Sequence, residues 1–283
     1  MTMFKGLGVA LVTPFTSSLE IDFEGLGRVL NHVTKGGVDY LVVNGTTGES
    51  PTITSKEKWS ILEYIFERTS LPIMLGYGGN CTQELIDEMD GLSQFPIKAI
   101  LSVAPYYNKP FQKGLQLHYE AIADKSPVPV LLYNVPFRTS VNIEAETTLK
   151  LAKHPNIIGV KEASGDMNQI TKIIDNRPEN FLVLSGDDGM TLPILKAGGE
   201  GVISVIANYK PSEFTAMVNA ALAGNFDQAA KQDEQLKSDY QLLSKEGNPT
   251  SVKTALEAIG LIERHVRLPL VPGSEELLQS FKK

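Results

Sequence analysis

The chain has 283 residues, 42% hydrophobic and 21% charged, and its 26 Lys+Arg against 33 Asp+Glu leave a formal net charge of −7. That composition suits a soluble globular protein with a large core, and the acidic balance disfavours nucleic acid or an anionic membrane as partner, because both are bound through basic surfaces. Cys81 is the only cysteine, which excludes an internal disulfide and a cysteine-based zinc cluster and fits a reducing compartment.

The opening MTMFKGLGVALVTPF places one lysine before an apolar run, as a weak secretory signal would, but the run is short, ends at Pro14 and lacks a small-residue cleavage site. It reads as a first strand, and a cytoplasmic location is expected. No apolar stretch nears the roughly 18 residues that a membrane helix needs. Eight short apolar runs then recur: GLGVALVT, DYLVVN, PIMLGY, KAILSVA, PVLLYN, IIGVKEA, FLVLSG and GVISV. Their C-terminal ends fall near Thr13, Val43, Gly76, Val103, Tyr133, Lys161, Gly186 and Ser204, at spacings of about 30, 33, 27, 30, 28, 25 and 18 residues. Each interval has room for a strand, a crossover helix and two loops.

The intervals carry helix signals. Thr54 and Glu57 form a capping box before a helix over 58–69, and Thr82 opens another with Ile86 and Met89 on one face. Runs that are apolar throughout, without alternation, imply strands buried on both faces and hence a parallel sheet. Eight such units closing on themselves give an α/β fold, the (β/α)₈ barrel; a doubly wound open sheet is the rival and needs fewer units. After the eighth run, 211–223, 226–243 and 251–259 read as helices without strands between them, and SEELLQSFKK as a last short one. The expected division is a barrel over residues 1–224 and a helical C-terminal extension over 225–283.

Chemistry in such a barrel gathers at the C-terminal strand ends. Lys161 ends an apolar run there, where desolvation lowers an ammonium's pKa toward roughly 7 to 8 and frees the amine to condense with a ketone. The alternatives are a lysine that snorkels out of the barrel end or pairs with Glu162. Tyr133, at the end of the preceding strand, reaches the same point and could move protons, or it is a rim aromatic with a satisfied hydroxyl. GTTGES, residues 45–50, offers two hydroxyls and backbone N–H groups for a carboxylate, or forms a plain turn. Arg138 has the fork geometry for a second carboxylate, or makes a cap or interface contact. The four histidines show no metal-ligand spacing, no nucleotide fingerprint is present, and the aspartates of GDDG after strand seven would repel a phosphate.

In GTTGES, PYYNKP, LLYNVPFRT, GVKEASGD, LSGDD and GGEGVISV, in order and spacing, the chain resembles the dihydrodipicolinate synthase and N-acetylneuraminate lyase family over nearly its whole length. The resemblance implies a barrel with a helical C-terminal domain that binds pyruvate as an imine, with neither metal nor cofactor. By motif, Lys161 would form the imine, Tyr133 would donate and accept protons, and Thr46 and Tyr107 would complete a relay, Tyr107 reaching across from a neighbouring subunit. Thr47 would bind the pyruvate carboxylate with the backbone around Ile203, and Gly186 would line the pocket. Arg138 stands where the synthase branch holds the carboxylate of aspartate semialdehyde and the lyases carry an apolar residue.

The resemblance further implies a homotetramer built from tight dimers. A lyase acting on a sugar acid would keep Lys161 and Tyr133 but take another aldehyde, and a sensor of pyruvate or lysine would need neither hydroxyl. For lysine feedback, Asn80, Glu84 and Tyr106 match inhibitor-contacting positions, whereas Ser55 and Lys58 stand where sensitive members have histidines; Lys58 brings a cation toward a cationic inhibitor, so weak or absent inhibition is expected.

Overall fold

The computed structural model describes residues 2–282. Eight strands, β1 (Gly6–Ala10), β2 (Tyr40–Val43), β3 (Ile73–Gly76), β4 (Ala99–Val103), β5 (Val130–Asn134), β6 (Ile157–Glu162), β7 (Leu182–Ser185) and β8 (Gly201–Ser204), pair in sequence order and close into a parallel barrel through β8 and β1. Nearly every strand residue is buried, as two-sided packing requires. Inward-facing residues such as Tyr40, Met74, Leu101, Leu131, Leu184 and Ile203 form the barrel's own core, floored by Phe4 stacked edge-on against Tyr40 at 5.2 Å. The outward set packs against the helices as a second, larger core.

The helices are α1 (Phe23–Lys35), α2 (Ser55–Phe66), α3 (Thr82–Glu88), α4 (Gln112–Lys125), α5 (Pro136–Thr139), α6 (Ala145–Leu151), α7 (Met167–Asn176), α8 (Thr191–Lys196), α9 (Pro211–Leu222), α10 (Phe226–Lys245), α11 (Thr250–Ala258) and α12 (Glu275–Phe281). In α1 the buried Leu26, Val29, Leu30 and Val33 trace one helical stripe. The capping box at Thr54 and Glu57 is present in full, so α2 starts at Ser55, three residues before the expected start. Helix α3 is as short as Thr82–Glu88 and tightens into a 3₁₀ turn over Met89–Gln94.

Strand β1 also ends earlier than its apolar run, at Ala10 instead of Thr13. The Asn208 side chain explains this: its Nδ2 donates to Ala10 O at 2.8 Å and its Oδ1 accepts from Val12 N at 3.1 Å, so a side chain replaces the ladder partner. The helices expected after β8 are found as α9, α10, α11 and α12, with Lys283 outside the described residues. α9 packs on β1 and α1, and α10 on α8, α9, α11 and α12. This brings the C-terminal end of α10 and the loop behind it over the barrel's C-terminal mouth.

Candidate active site

A cavity of about 870 Å³ opens at the C-terminal ends of the strands. Its base holds Lys161 and Tyr133, its walls carry the β2 loop from Asn44 to Thr47, and α5 and the end of α10 form its rim. A smaller open hollow of about 540 Å³, between Asp22 and Arg28 on one side and Glu257 and Glu263 on the other, presents no comparable nucleophile.

Lys161 and Tyr133 are direct partners across the β5–β6 register. Both side chains are buried, at 5% and 7% exposure, and the lysine Nζ lies 4.4 Å from the centre of the Tyr133 ring. Strand alternation sends the next pair, Asn134 and Glu162, to the opposite face. There the Glu162 carboxylate accepts from Asn134 Nδ2 and Gln169 Nε2, both at 2.8 Å, and from Ser164 N at 3.2 Å, while burial pushes its pKa up. The pairing of Lys161 with Glu162, open on sequence grounds, is therefore absent, and among the described residues no carboxylate lies within 4.0 Å of the Lys161 amine. Nor does the lysine snorkel into solvent. A side chain at Gly186 would meet Lys161 Cε at 3.1 Å and Ala163 Cβ at 2.8 Å, so glycine is what lets β7 pass beside the amine.

The β2 loop turns through left-handed Asn44 (φ 58) and Glu49 (φ 58), a conformation that costs less for asparagine than for most residues. It puts Thr46 on the cavity wall and buries Thr47, whose Oγ1 accepts from Asn248 Nδ2 at 2.9 Å. Behind the wall, the buried Glu49 carboxylate meets the Lys253 ammonium and accepts from Arg267 N at 3.1 Å. Arg138, on α5, extends over the rim and donates through Nη2 to Asn248 O at 3.3 Å. The NPTSVK stretch from Asn248 to Lys253 departs from the family pattern, but on sequence grounds neither Asn248 nor the Glu49–Lys253 pair has a place in the site.

Aspartates 187 and 188 line the cavity, but both are occupied with backbone. Asp187 caps the following turn through Gly189 N at 2.9 Å. Asp188 accepts from Val205 N at 3.2 Å and Ile206 N at 2.8 Å, holding the backbone beyond β8; burial pushes its pKa up to about 6, opposed by those donors and by Ser204. Ile203 lies beneath the mouth in the barrel core. Among the described residues, no group of three or more His, Cys, Asp or Glu side chains is placed to hold a metal ion.

Not every expected site residue is gathered here. Tyr106 and Lys58 line the outer wall beside Glu88, with the Lys58 ammonium 4.4 Å above the Trp59 ring; burial lowers its pKa and Glu88 opposes that. Asn80, Glu84 and Ser55 stand outside the cavity lining, although the Asn80 carbonyl accepts from Asn108 Nδ2 at 2.9 Å. Tyr107 also stands outside it: in a left-handed backbone (φ 75), it is 88% exposed and turned away from its own cavity.

A closed parallel barrel with a buried amine beside a phenol at its C-terminal mouth has the build of a barrel enzyme that captures a small molecule at its strand ends. A model of the dihydrodipicolinate synthetase family matches residues 3–283, and the chain belongs to that family. It is 48% identical to the 4-hydroxy-tetrahydrodipicolinate synthase of Parabacteroides distasonis over 95% of this chain and 91% of the relative. A monomeric dihydrodipicolinate synthase variant superposes with a TM-score of 0.96 at 37% identity, over 99% of this chain and 95% of that one. The chloride-inhibited dihydrodipicolinate synthase of Acinetobacter baumannii, solved in complex with pyruvate, superposes at 0.95 with 35% identity, over 98% and 96%.

Proposed function

We propose that this chain condenses pyruvate with L-aspartate 4-semialdehyde to give 4-hydroxy-tetrahydrodipicolinate, on the route to lysine and diaminopimelate. The observation that carries the reading is the buried Lys161 amine, facing the Tyr133 ring with no carboxylate within 4.0 Å among the described residues. An amine so placed attacks the ketone carbon, and loss of water gives the imine. Loss of a proton from the methyl group makes the enamine, whose carbon attacks the aldehyde. The adduct's own amine then closes on the imine carbon and releases Lys161.

Each step moves a proton, and the Tyr133 hydroxyl, joined to Thr46 and to Tyr107 of a neighbouring copy, carries them. Thr47, with the backbone near Ile203, holds the keto-acid carboxylate beside Gly186, and Arg138 takes the carboxylate of the aldehyde at the rim. The tight framework supplies orientation, which is where most of the rate arises in such a reaction. The exposure of Tyr107, away from its own cavity, supports a homotetramer of tight dimers in which it completes the partner's relay; an isolated monomer with full activity would contradict this. The same reading treats residues up to Gly224 as the catalytic barrel and the rest as a helical domain, in a cytoplasmic enzyme. It also expects weak or no feedback by lysine, because Lys58 already brings a cation to the wall shared with Tyr106 and Glu88; a sub-millimolar inhibition constant would refute that.

Initial rates with pyruvate test the specificity. Aspartate semialdehyde should turn over, sugar-acid aldehydes should not, and Arg138→Ala should raise the aldehyde KM by about tenfold or more, the worth of a charge-assisted hydrogen bond. Faster turnover of a sugar acid would overturn the assignment.

A further inference from the structure

The C-terminal region enters the cavity at Asn248, in the loop between α10 and α11. Its side chain donates to Thr47 Oγ1 at 2.9 Å, its carbonyl accepts from Arg138 at 3.3 Å, and its Oδ1 is buried without a partner among the described residues. One residue thus touches both groups assigned above to substrate carboxylates. The connection is rigid on both sides. Ser251 N donates to Gly247 O at 2.8 Å and Lys253 N to Pro249 O at 3.0 Å, while the Lys253 ammonium is buried against Glu49, two residues beyond Thr47.

A threonine hydroxyl has one proton to give and lone pairs to accept with, whereas a carboxylate only accepts. A neighbour that donates to Oγ1 therefore leaves the hydroxyl proton free for a carboxylate, and a neighbour that accepts from it takes that proton away. Among the described residues, Asn248 Nδ2 is the only hydrogen-bond partner of the Thr47 hydroxyl.

We propose that Asn248 is a positioning residue for the keto acid: by donating to Thr47 it turns that hydroxyl's proton into the cavity, toward the substrate carboxylate. This rests on the function proposed above, in which Thr47 holds that carboxylate. It makes the C-terminal region part of the keto-acid site through a hydrogen bond that spans 201 residues of sequence.

The test replaces the donor at constant shape. Asn248→Asp offers Thr47 an acceptor, Asn248→Ala offers nothing, and each is also made on a Thr47→Val background. Pyruvate KM, aldehyde KM, kcat and melting temperature are measured for all. We expect Asn248→Asp to raise the pyruvate KM by about tenfold or more and Asn248→Ala by less, with kcat at saturating pyruvate nearly kept, and neither to add to the Thr47→Val defect. A pyruvate KM within about twofold of wild type in Asn248→Ala, or effects that add in full to Thr47→Val, would overturn the proposal. Asn248→Ala carries no charge and decides alone if Asn248→Asp does not fold. Failure of pyruvate and borohydride to modify wild-type Lys161 would remove the parent reading and this inference with it; modification with an unmoved KM removes this inference alone.

Discussion

Lys161 and Lys253 are both buried, at 5% and 0% exposure, and differ in what faces the amine. Lys253 lies in the seam between the barrel and α11. It meets the Glu49 carboxylate, donates to His265 O at 2.8 Å and sits 4.0 Å above the centre of the Phe15 ring. Burial pulls its pKa down and Glu49 holds it up. Lys161 has the Tyr133 ring, a glycine and no carboxylate within 4.0 Å among the described residues. A buried ammonium with a hydrogen-bonded counter-ion is a fastener, and removing either partner strands a charge. A buried amine without one has no salt-bridge partner to engage it and faces the cavity, where a ketone could reach it. Burial alone therefore does not separate the two lysines; the presence of a counter-ion at one and its absence at the other does.

The sharpest way to break this contrast is to make the same substitution at both sites. Lys161→Met should abolish turnover while leaving the melting temperature equal or higher, because an unpaired polar group is replaced by an apolar one of similar length. Lys253→Met should do the reverse to stability, costing about 3–5 kcal/mol in denaturant unfolding by leaving Glu49 buried without its counter-ion, and Glu49→Gln on top of it should recover part of the loss. Equal stability losses at the two positions would remove the distinction. Next in size, Tyr133→Phe keeps the ring over Lys161 but deletes the hydroxyl, and kcat should fall by about 10²- to 10⁴-fold, the usual worth of a positioned proton donor. A kcat within twofold of wild type would take Tyr133 out of the relay.

The smallest expected effect concerns Asp188, a half-buried carboxylate compensated by backbone N–H groups and a hydroxyl. Its folded pKa of about 6 lies above the ordinary carboxylate value of 3.8. Between those two values the folded chain binds the extra proton, so the group's contribution to stability grows as pH falls through 6 and is complete below about 4. The melting temperature of the wild type relative to Asp188→Asn should therefore rise on acidification from pH 7 to pH 5. A difference independent of pH would show that Asp188 titrates normally.

The barrel was legible because every strand is buried on both faces, which leaves an unbroken apolar run in the chain, and Lys161 was legible because it puts a charge at the end of one. A strand boundary moved where a side chain intervenes, as at Asn208, which displaces the end of β1 from 198 residues away. The four-residue α5 that carries Arg138 is too short to show a period. The roles of Asn248 and of the Glu49–Lys253 pair could not be read for a related reason: their meaning lies in contacts across 201 and 204 residues, and an asparagine after a glycine or a lysine in a helix carries no local mark of them. The aspartates after β7 were visible as charge at the mouth, but their bonds to the backbone of Gly189, Val205 and Ile206 were not, because those depend on the folded loops.

On the proposed function, the buried Lys161 amine, with no counter-ion within 4.0 Å among the described residues, captures a keto acid. Borohydride reduction in the presence of pyruvate, followed by peptide mapping in a mass spectrometer, tests it most directly. A single reduced pyruvate adduct on the Lys161 peptide, absent from Lys161→Met and never found on Lys253, is the predicted result; an adduct on another lysine, or none at all, would contradict it.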